Sequence, residues 1–357
     1  MKNLIGGKFV DASNGEKADV INPATNELID TVPLATEEDV DLCVKEAAKA
    51  QKGWAKMPLH ERGDILYKFA DLVEANHEEL AQLLSKETGK PIKEARAEIS
   101  NTKHFVHGYV EKAKHDYGNV IPAGSEVGQE KTMQITVQQP LGVVACIIPF
   151  NFPCDLFGQK VPSALIMGNS VIVKPSTDNP LTLHRYCELL KDAGVPDGVI
   201  NCISGRGSVT GNALAKHPQV ALISVTGSTE VGAEVMANAA ANITHVMLEL
   251  GGNDAFIVMN DADMELTMKE LVWGRLYNTG QVCCASKRFL VQKGIKDEFI
   301  KKAVETLQSL KVAMPQQEDA DIGCLINEKA AINAEEQVRK TLDQGATLVY
   351  GGRRNGA

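Results

Sequence analysis

The chain has 357 residues, 44% of them hydrophobic and 23% charged, with a formal net charge of -9 at pH 7. That length holds two or three ordinary domains, and lysines and arginines scattered among an excess of carboxylates leave no basic stripe to grip nucleic acid. No run of about 20 apolar residues occurs and the N-terminus MKNLIGGKFV lacks the apolar core of a signal peptide, so a cytoplasmic protein with neither nucleic-acid nor membrane partners is expected.

Residues 34 to 115 read as helices. Ile65, Leu66, Phe69, Leu72 and Val73 recur at steps of 1, 3 and 4, the spacing of an amphipathic helix. His104 and His107 fall in this region as an HxxH pair, but no cysteine or carboxylate set completes a ligand spacing, so a solvated helix face is expected and no metal. From Tyr117 to Gln139 the helical period fades, glycines enter, and MQITVQQ alternates as an exposed strand does. This segment reads as a hairpin-like insertion.

Short runs that are apolar on both faces follow, separated by helical stretches: GVVACII at 142 to 148, VIV at 171 to 173, VINCIS at 199 to 204 and VALISV at 220 to 225. Such runs are the mark of a parallel sheet covered on both sides. AFIVM, RFLVQ and TLVY come after Glu249-Leu-Gly-Gly and point to a second α/β unit. The eight cysteines contain no CxxC pair and no disulfide spacing, which makes most of them small buried hydrophobes. Cys283 and Cys284 stand apart, side by side in YNTGQVCCASKR.

Ligands of an open parallel sheet bind beyond the carboxyl ends of its strands, and four turns lie there. In PFNFP, Asn151 between two prolines could donate its amide to a developing oxyanion or be a simple turn residue. In VKPSTDNP, Lys174 and Ser176 end a strand, where a lysine can grip ribose or phosphate or simply be solvated. In VTGSTEVG, Gly227 and Ser228 open a helix whose free N–H groups suit a pyrophosphate, although Ser228 could equally be an N-cap. The upstream GRGSVTG, around Gly207, misses the dinucleotide pattern G-x-G-x-x-G by one residue. In LELGGN, Glu249 ends an apolar-rich run, where desolvation would raise its pKa toward that of a general base. The alternative is a carboxylate tied up by the N–H groups of the glycines that follow.

Taken in order, PFNFP, VKPS, TGSTxxG, ELGG and then GQxC, with its cysteine 34 residues after the glutamate, resemble the NAD(P)-dependent aldehyde dehydrogenases. The resemblance runs from about residue 4 to the end and includes INPAT, PLGVV and GVPDGVIN. It implies a Rossmann-like parallel-sheet cofactor domain (1–115 and 140–250), a β-hairpin oligomerisation arm (116–139) and a second α/β catalytic domain (251–357). Members of the family continue past GGRRNGA, so that last domain is expected to be incomplete and the arm to lack a partner strand.

The resemblance makes Cys283, three residues after Gly280, the nucleophile and leaves Cys284 at a variable position. Asn151 would hold the oxyanion, Glu249 would activate the hydrolytic water, and Lys160, nine residues after Asn151, would orient these groups. The cofactor would be held by Phe150, Lys174, Ser176, Thr177, Gly207, Gly227 and Ser228. Members that prefer NAD commonly carry glutamate at the position of Thr177; a neutral hydroxyl there admits a 2′-phosphate, so the cofactor is NADP or NAD.

CDLFGQK, 154 to 160, lacks the arginine that semialdehyde enzymes use. It is similar to the lactaldehyde and non-phosphorylating glyceraldehyde-3-phosphate branch, which implies a short polar aldehyde. Homo-oligomers, dimers or tetramers, are implied as well. The competing reading is a non-catalytic descendant that keeps the fold as a binding or assembly module. A cysteine hydrolase ranks behind it, because no histidine is evidently paired with Cys283.

Overall fold

In the computed structural model, which describes residues 1–354, the chain opens with two hairpins, β1 (Asn3–Ile5) with β2 (Lys8–Val10) and β3 (Lys17–Ile21) with β4 (Leu28–Pro33). Four helices follow: α1 (Glu37–Lys56), α2 (Leu59–Ala75), α3 (His77–Thr88) and α4 (Ile92–Lys114). The first begins in a reciprocal cap between Thr36 and Asp39, and the third ends at Gly89 in the left-handed region. The period seen in α2 is the observed one, with Leu66, Phe69 and Val73 buried. His104 and His107 are exposed on α4, and no group of three or more metal-ligating side chains gathers among the described residues.

The arm is β5 (Asn119–Ile121) paired antiparallel with β6 (Gln134–Thr136). Val120, Ile135 and Val137 on it are all exposed. Beyond it run β7 (Val143–Ile147), α5 (Pro153–Ile166), β8 (Ser170–Lys174), α6 (Leu181–Ala193), β9 (Ile200–Cys202), α7 (Asn212–Lys216), β10 (Val220–Thr226), α8 (Thr229–Ala239) and β11 (His245–Glu249). One seven-stranded sheet forms in the order β11-β10-β7-β8-β9-β1-β2. Its five strands from β11 to β9 are parallel, and β1 joins β9 antiparallel.

Alternate residues of the central strands feed two cores, one on each face. Val144 and Cys146 pack with Phe69, Phe157 and Tyr186, whereas Val143 and Ala145 pack with Val40, Val44 and Val235. The chain winds from β7 outward through β8 and β9, then returns to place β10 on the other side of β7. The switch in direction opens a crevice at the carboxyl ends of β7 and β10, the place where open α/β sheets take ligands.

The remainder holds β12 (Asp254–Val258), α9 (Met264–Leu276), β13 (Ser286–Val291), α10 (Lys296–Ser309) and α11 (Glu328–Asp343). The two strands pair parallel over a small core of Val258, Met268, Leu271, Ile295 and Phe299. TLVY, expected as a further strand, is not one. Leu348, Val349 and Tyr350 are exposed after α11, because among the described residues no strand pairs with them to take up their backbone groups. Among the described residues no helix is long and apolar enough to cross a membrane.

Candidate active site

The turn Pro149–Pro153 carries the chain from β7 into α5, with Pro153 in the first turn of the helix. Asn151 Nδ2 donates to the Gln281 carbonyl at 3.0 Å. The Asn151 carbonyl in turn accepts from Lys90 Nζ and from Asn278 Nδ2, each at 2.9 Å. A side-chain amide has two N–H donors, so one remains free for an oxyanion.

Tyr277 to Gly280 bring the chain off α9 in an unusual conformation. Asn278 (φ 51°) and Thr279 (φ 56°) both occupy the left-handed region, followed by Gly280 at φ 78°. Asparagine tolerates this and glycine welcomes it, but a β-branched threonine is an outlier; such residues store about 1–3 kcal/mol each and persist only when their surroundings hold them. The holds are visible. Glu94 Oε2 accepts the Asn278 N–H at 2.7 Å, Gln281 N donates to the Asn278 carbonyl at 3.0 Å, and Tyr277 stacks on Phe152 with ring centroids 5.8 Å apart and planes within 4°.

The two cysteines follow directly, both exposed. Cys283 lines a cavity of about 490 Å³ together with Phe150, Asn151, Gly227, Ser228 and Thr279. Cys284 is absent from that lining, and its thiol is pushed up by burial and by the adjacent Cys283. Lys287 acts on the backbone here: its Nζ donates to the carbonyls of Gly252 (2.8 Å), Cys283 (3.0 Å) and Val282 (3.2 Å). It ties the glycine turn after Glu249 to the nucleophile loop.

Of the residues expected to meet a dinucleotide, Phe150, Gly227 and Ser228 line this cavity, and Lys174, Ser176, Thr177 and Gly207 do not. Thr226 ends β10, Gly227 and Ser228 follow it, and the Thr226 hydroxyl is buried without a partner among the described residues. Ser228 accepts the Val231 N–H at 3.3 Å, so its hydroxyl serves as the N-cap of α8. Lys174 is buried at the end of β8, where burial lowers it to about 8. Its Nζ donates to the Pro175 carbonyl at 3.1 Å. Ser176 reaches Asp178 at 3.5 Å, and Thr177 donates to the Gly205 carbonyl at 3.2 Å.

The glycine that this last turn requires is Gly205, where an added Cβ would lie 1.9 Å from Thr210 Oγ1. Gly207 has open space around it. An orphaned hydroxyl, a helix N-terminus and a tight glycine turn at the ends of parallel strands fit a dinucleotide.

Residues 9–357 match the model of the aldehyde dehydrogenase family. D-glyceraldehyde dehydrogenase (NADP(+)) of Picrophilus torridus is 38% identical over 354 residues, covering 99% of this chain and 71% of the relative. Succinate-semialdehyde dehydrogenase [NADP(+)] GabD of Escherichia coli is 36% identical, covering 98% and 72%. The solved structure of 3,6-anhydro-L-galactose dehydrogenase in complex with NAP superposes with a TM-score of 0.95 at 35% identity, covering all of this chain and 74% of the other.

The chain belongs to the aldehyde dehydrogenase family. It is accordingly an oxidoreductase that uses NAD(P).

For an aldehyde dehydrogenase the placement of Glu249 departs from the sequence expectation. Glu249 is exposed, since β11 is the outer strand of the sheet and its residues are exposed and half-buried in alternation. The burial expected to desolvate it is therefore missing, and among the described residues no glycine N–H bonds its carboxylate. Its side chain lines a second cavity of about 640 Å³ with Lys160, Ser224 and Asn169. There Lys160 Nζ donates to Ser224 Oγ at 2.8 Å, and burial lowers the Lys160 pKa against the pull of Cys146 and Glu249.

The structure thus brings Cys283, Asn151, Phe150, Gly227 and Ser228 together and leaves Glu249 and Lys160 next door. Reading the sequence missed Lys90, Glu94, Glu98 and Lys287. The available signal was the spacing of the first three, four residues apart in KPIKEARAE, with charges on the face that carries Ala95, Ile99 and Val106 into the core.

Proposed function

We propose that this aldehyde dehydrogenase oxidises a short polar aldehyde to its carboxylic acid with Cys283 as nucleophile. The observation that carries the assignment is the shared cavity, which Cys283 and Asn151 both line at the carboxyl ends of β7 and β10.

The Cys283 thiolate adds to the carbonyl carbon, giving a thiohemiacetal whose oxyanion takes the free N–H of Asn151 Nδ2 and the Cys283 backbone N–H. NAD(P) would be held by Lys174, Ser176, Thr177, Gly227, Ser228 and Phe150 beside the turn at Gly207, and would accept the hydride that the thiohemiacetal carbon loses as it becomes a thioester. Water then opens the thioester on Cys283 and releases the acid. Glu249 is the base for that water once its side chain turns from the second cavity toward Cys283, and Lys160, bonded there to Ser224 Oγ, acts on the carboxylate through its charge.

The neutral Thr177 supports NADP use, as do relatives named for NADP(+) that act on D-glyceraldehyde and on succinate semialdehyde. The exposed thiols of Cys283 and Cys284 suit a reducing, cytoplasmic compartment. The open edges and apolar side chains of the β5–β6 arm suit pairing with a second copy of the chain; a single-chain mass by light scattering would remove that part of the reading.

The test is absorbance of reduced nicotinamide with NAD and with NADP across a panel of short aldehydes, in wild type, Cys283→Ala and Cys284→Ala. A signal lost in the first variant and kept in the second is expected. Equal loss in both would overturn the assignment of the nucleophile. Silence in wild type with cofactor still bound would favour the binding-module reading.

A further inference from the structure

We propose that Glu94 is a positioning residue for the reaction: by accepting the Asn278 N–H it holds the left-handed turn that sets Cys283 against Asn151. This rests on the reading of Cys283 as nucleophile.

Three charges stand where charges are costly. Lys90, Glu94 and Glu98 are spaced by four residues on α4 and its lead-in and are all buried, a position that charged groups tolerate only with partners. Their partners all lie at the site. Lys90 pairs with Glu98, donates to the Asn151 carbonyl and sits 3.9 Å above the Phe152 ring. Glu98 accepts the N–H groups of Cys154 (2.8 Å) and Asp155 (3.3 Å), the first turn of α5. Glu94 takes the backbone of the nucleophile loop.

The loop and the oxyanion turn are themselves cross-linked. Asn278 Nδ2 reaches the Asn151 carbonyl, and Asn151 Nδ2 reaches the Gln281 carbonyl two residues before Cys283. Any rotation of the Asn278 peptide therefore moves Asn151 and Cys283 relative to each other. Among the described residues, Glu94 supplies the side chain that accepts the Asn278 N–H. Without it, Asn278 and Thr279 are free to leave a conformation that L residues rarely adopt, and the alignment of thiol and amide goes with them.

The comparison that isolates this role is Glu94→Met against Glu94→Gln. Both are neutral and of similar size, but only glutamine keeps an oxygen acceptor for the Asn278 N–H. Three readouts apply: kcat and KM for hydride release, cofactor affinity by fluorescence, and the rate of Cys283 alkylation by iodoacetamide mapped by peptide mass. The last needs neither cofactor nor aldehyde.

Misplacement of reacting groups by about 1 Å costs on the order of 10²-fold in rate, so Glu94→Met should lose about that in kcat with cofactor affinity unchanged. Its Cys283 alkylation rate should shift, and Glu94→Gln should restore both. If methionine is not tolerated in folding, Glu94→Ala carries the same expectation. Equal kcat and equal alkylation in the methionine and glutamine variants would overturn the proposal. Should wild type release no hydride, a difference in alkylation between the variants would still support positioning, and its absence would still refute it.

Discussion

Replacing Lys90 by methionine would leave Glu98 with its charge and no counterion in a position where neither side chain is exposed. Breaking a buried pair from one side typically costs about 3–5 kcal/mol. Two features of the structure place the expected cost at the lower end. Glu98 keeps the N–H groups of Cys154 and Asp155, and these lie at a helix N-terminus, whose dipole favours an anion by up to about 2 kcal/mol in partly buried geometry. A loss of about 3 kcal/mol is therefore expected, a large share of the roughly 5–15 kcal/mol that holds a typical domain.

The double variant Lys90→Met with Glu98→Gln removes both charges and keeps an acceptor for Cys154 N, so it should recover roughly 2 kcal/mol of that loss. Urea unfolding followed by tryptophan fluorescence measures this directly. Trp54 is buried in the same core and bonded to the Leu165 carbonyl at 2.8 Å, whereas Trp273 is 68% exposed and changes its surroundings little. A single variant that loses less than about 1 kcal/mol, or a double variant no more stable than the single, would refute the reasoning from buried charge.

Thr177→Glu sets a carboxylate beside the place proposed for the ribose, and like charges brought together cost several kcal/mol. The ratio of NADP to NAD activity should fall at least about tenfold; an unchanged ratio would count against the assignment of Thr177. Glu94 yields a prediction about pH. Burial raises its pKa from 4.5 to about 7, with the Asn278 N–H, Lys90 and Lys93 opposing and Asp321 adding. The native state thus holds this proton more tightly than the unfolded chain, and stability falls as pH rises from about 4.5 through 7, by up to about 3 kcal/mol. Glu94→Gln does not titrate, so its stability relative to wild type should climb between pH 5 and pH 8; a flat difference across that range would show that the carboxyl is not so perturbed.

Much of the framework was legible without coordinates because it depends on short-range pattern. Runs such as GVVACII and VALISV are apolar on both faces because helices cover both faces, and the period of α2 is written in Leu66, Phe69 and Val73. The turns that follow parallel strands carry the crevice, since strand direction alone decides at which end they lie. The resemblance carried by GQxC is what picked Cys283 over Cys284, and of the two only Cys283 lines the cavity beside Asn151.

What the tertiary structure alone decided were the pairings across long stretches of chain and the exposure of edges. Lys90 meets Asn151 and Glu94 meets Asn278 from residues 61 and 184 positions away. No local period encodes such a partner, so buried charges in KPIKEARAE look from sequence like an ordinary solvated helix face. The left-handed conformation of Asn278 and Thr279 is likewise invisible, because their own preferences oppose it and distant hydrogen bonds impose it. The burial expected of Glu249 and the strand expected at TLVY are missing for a related reason: hydrophobic composition tells that a segment can be buried or paired, and only the neighbours present beside it determine whether it is.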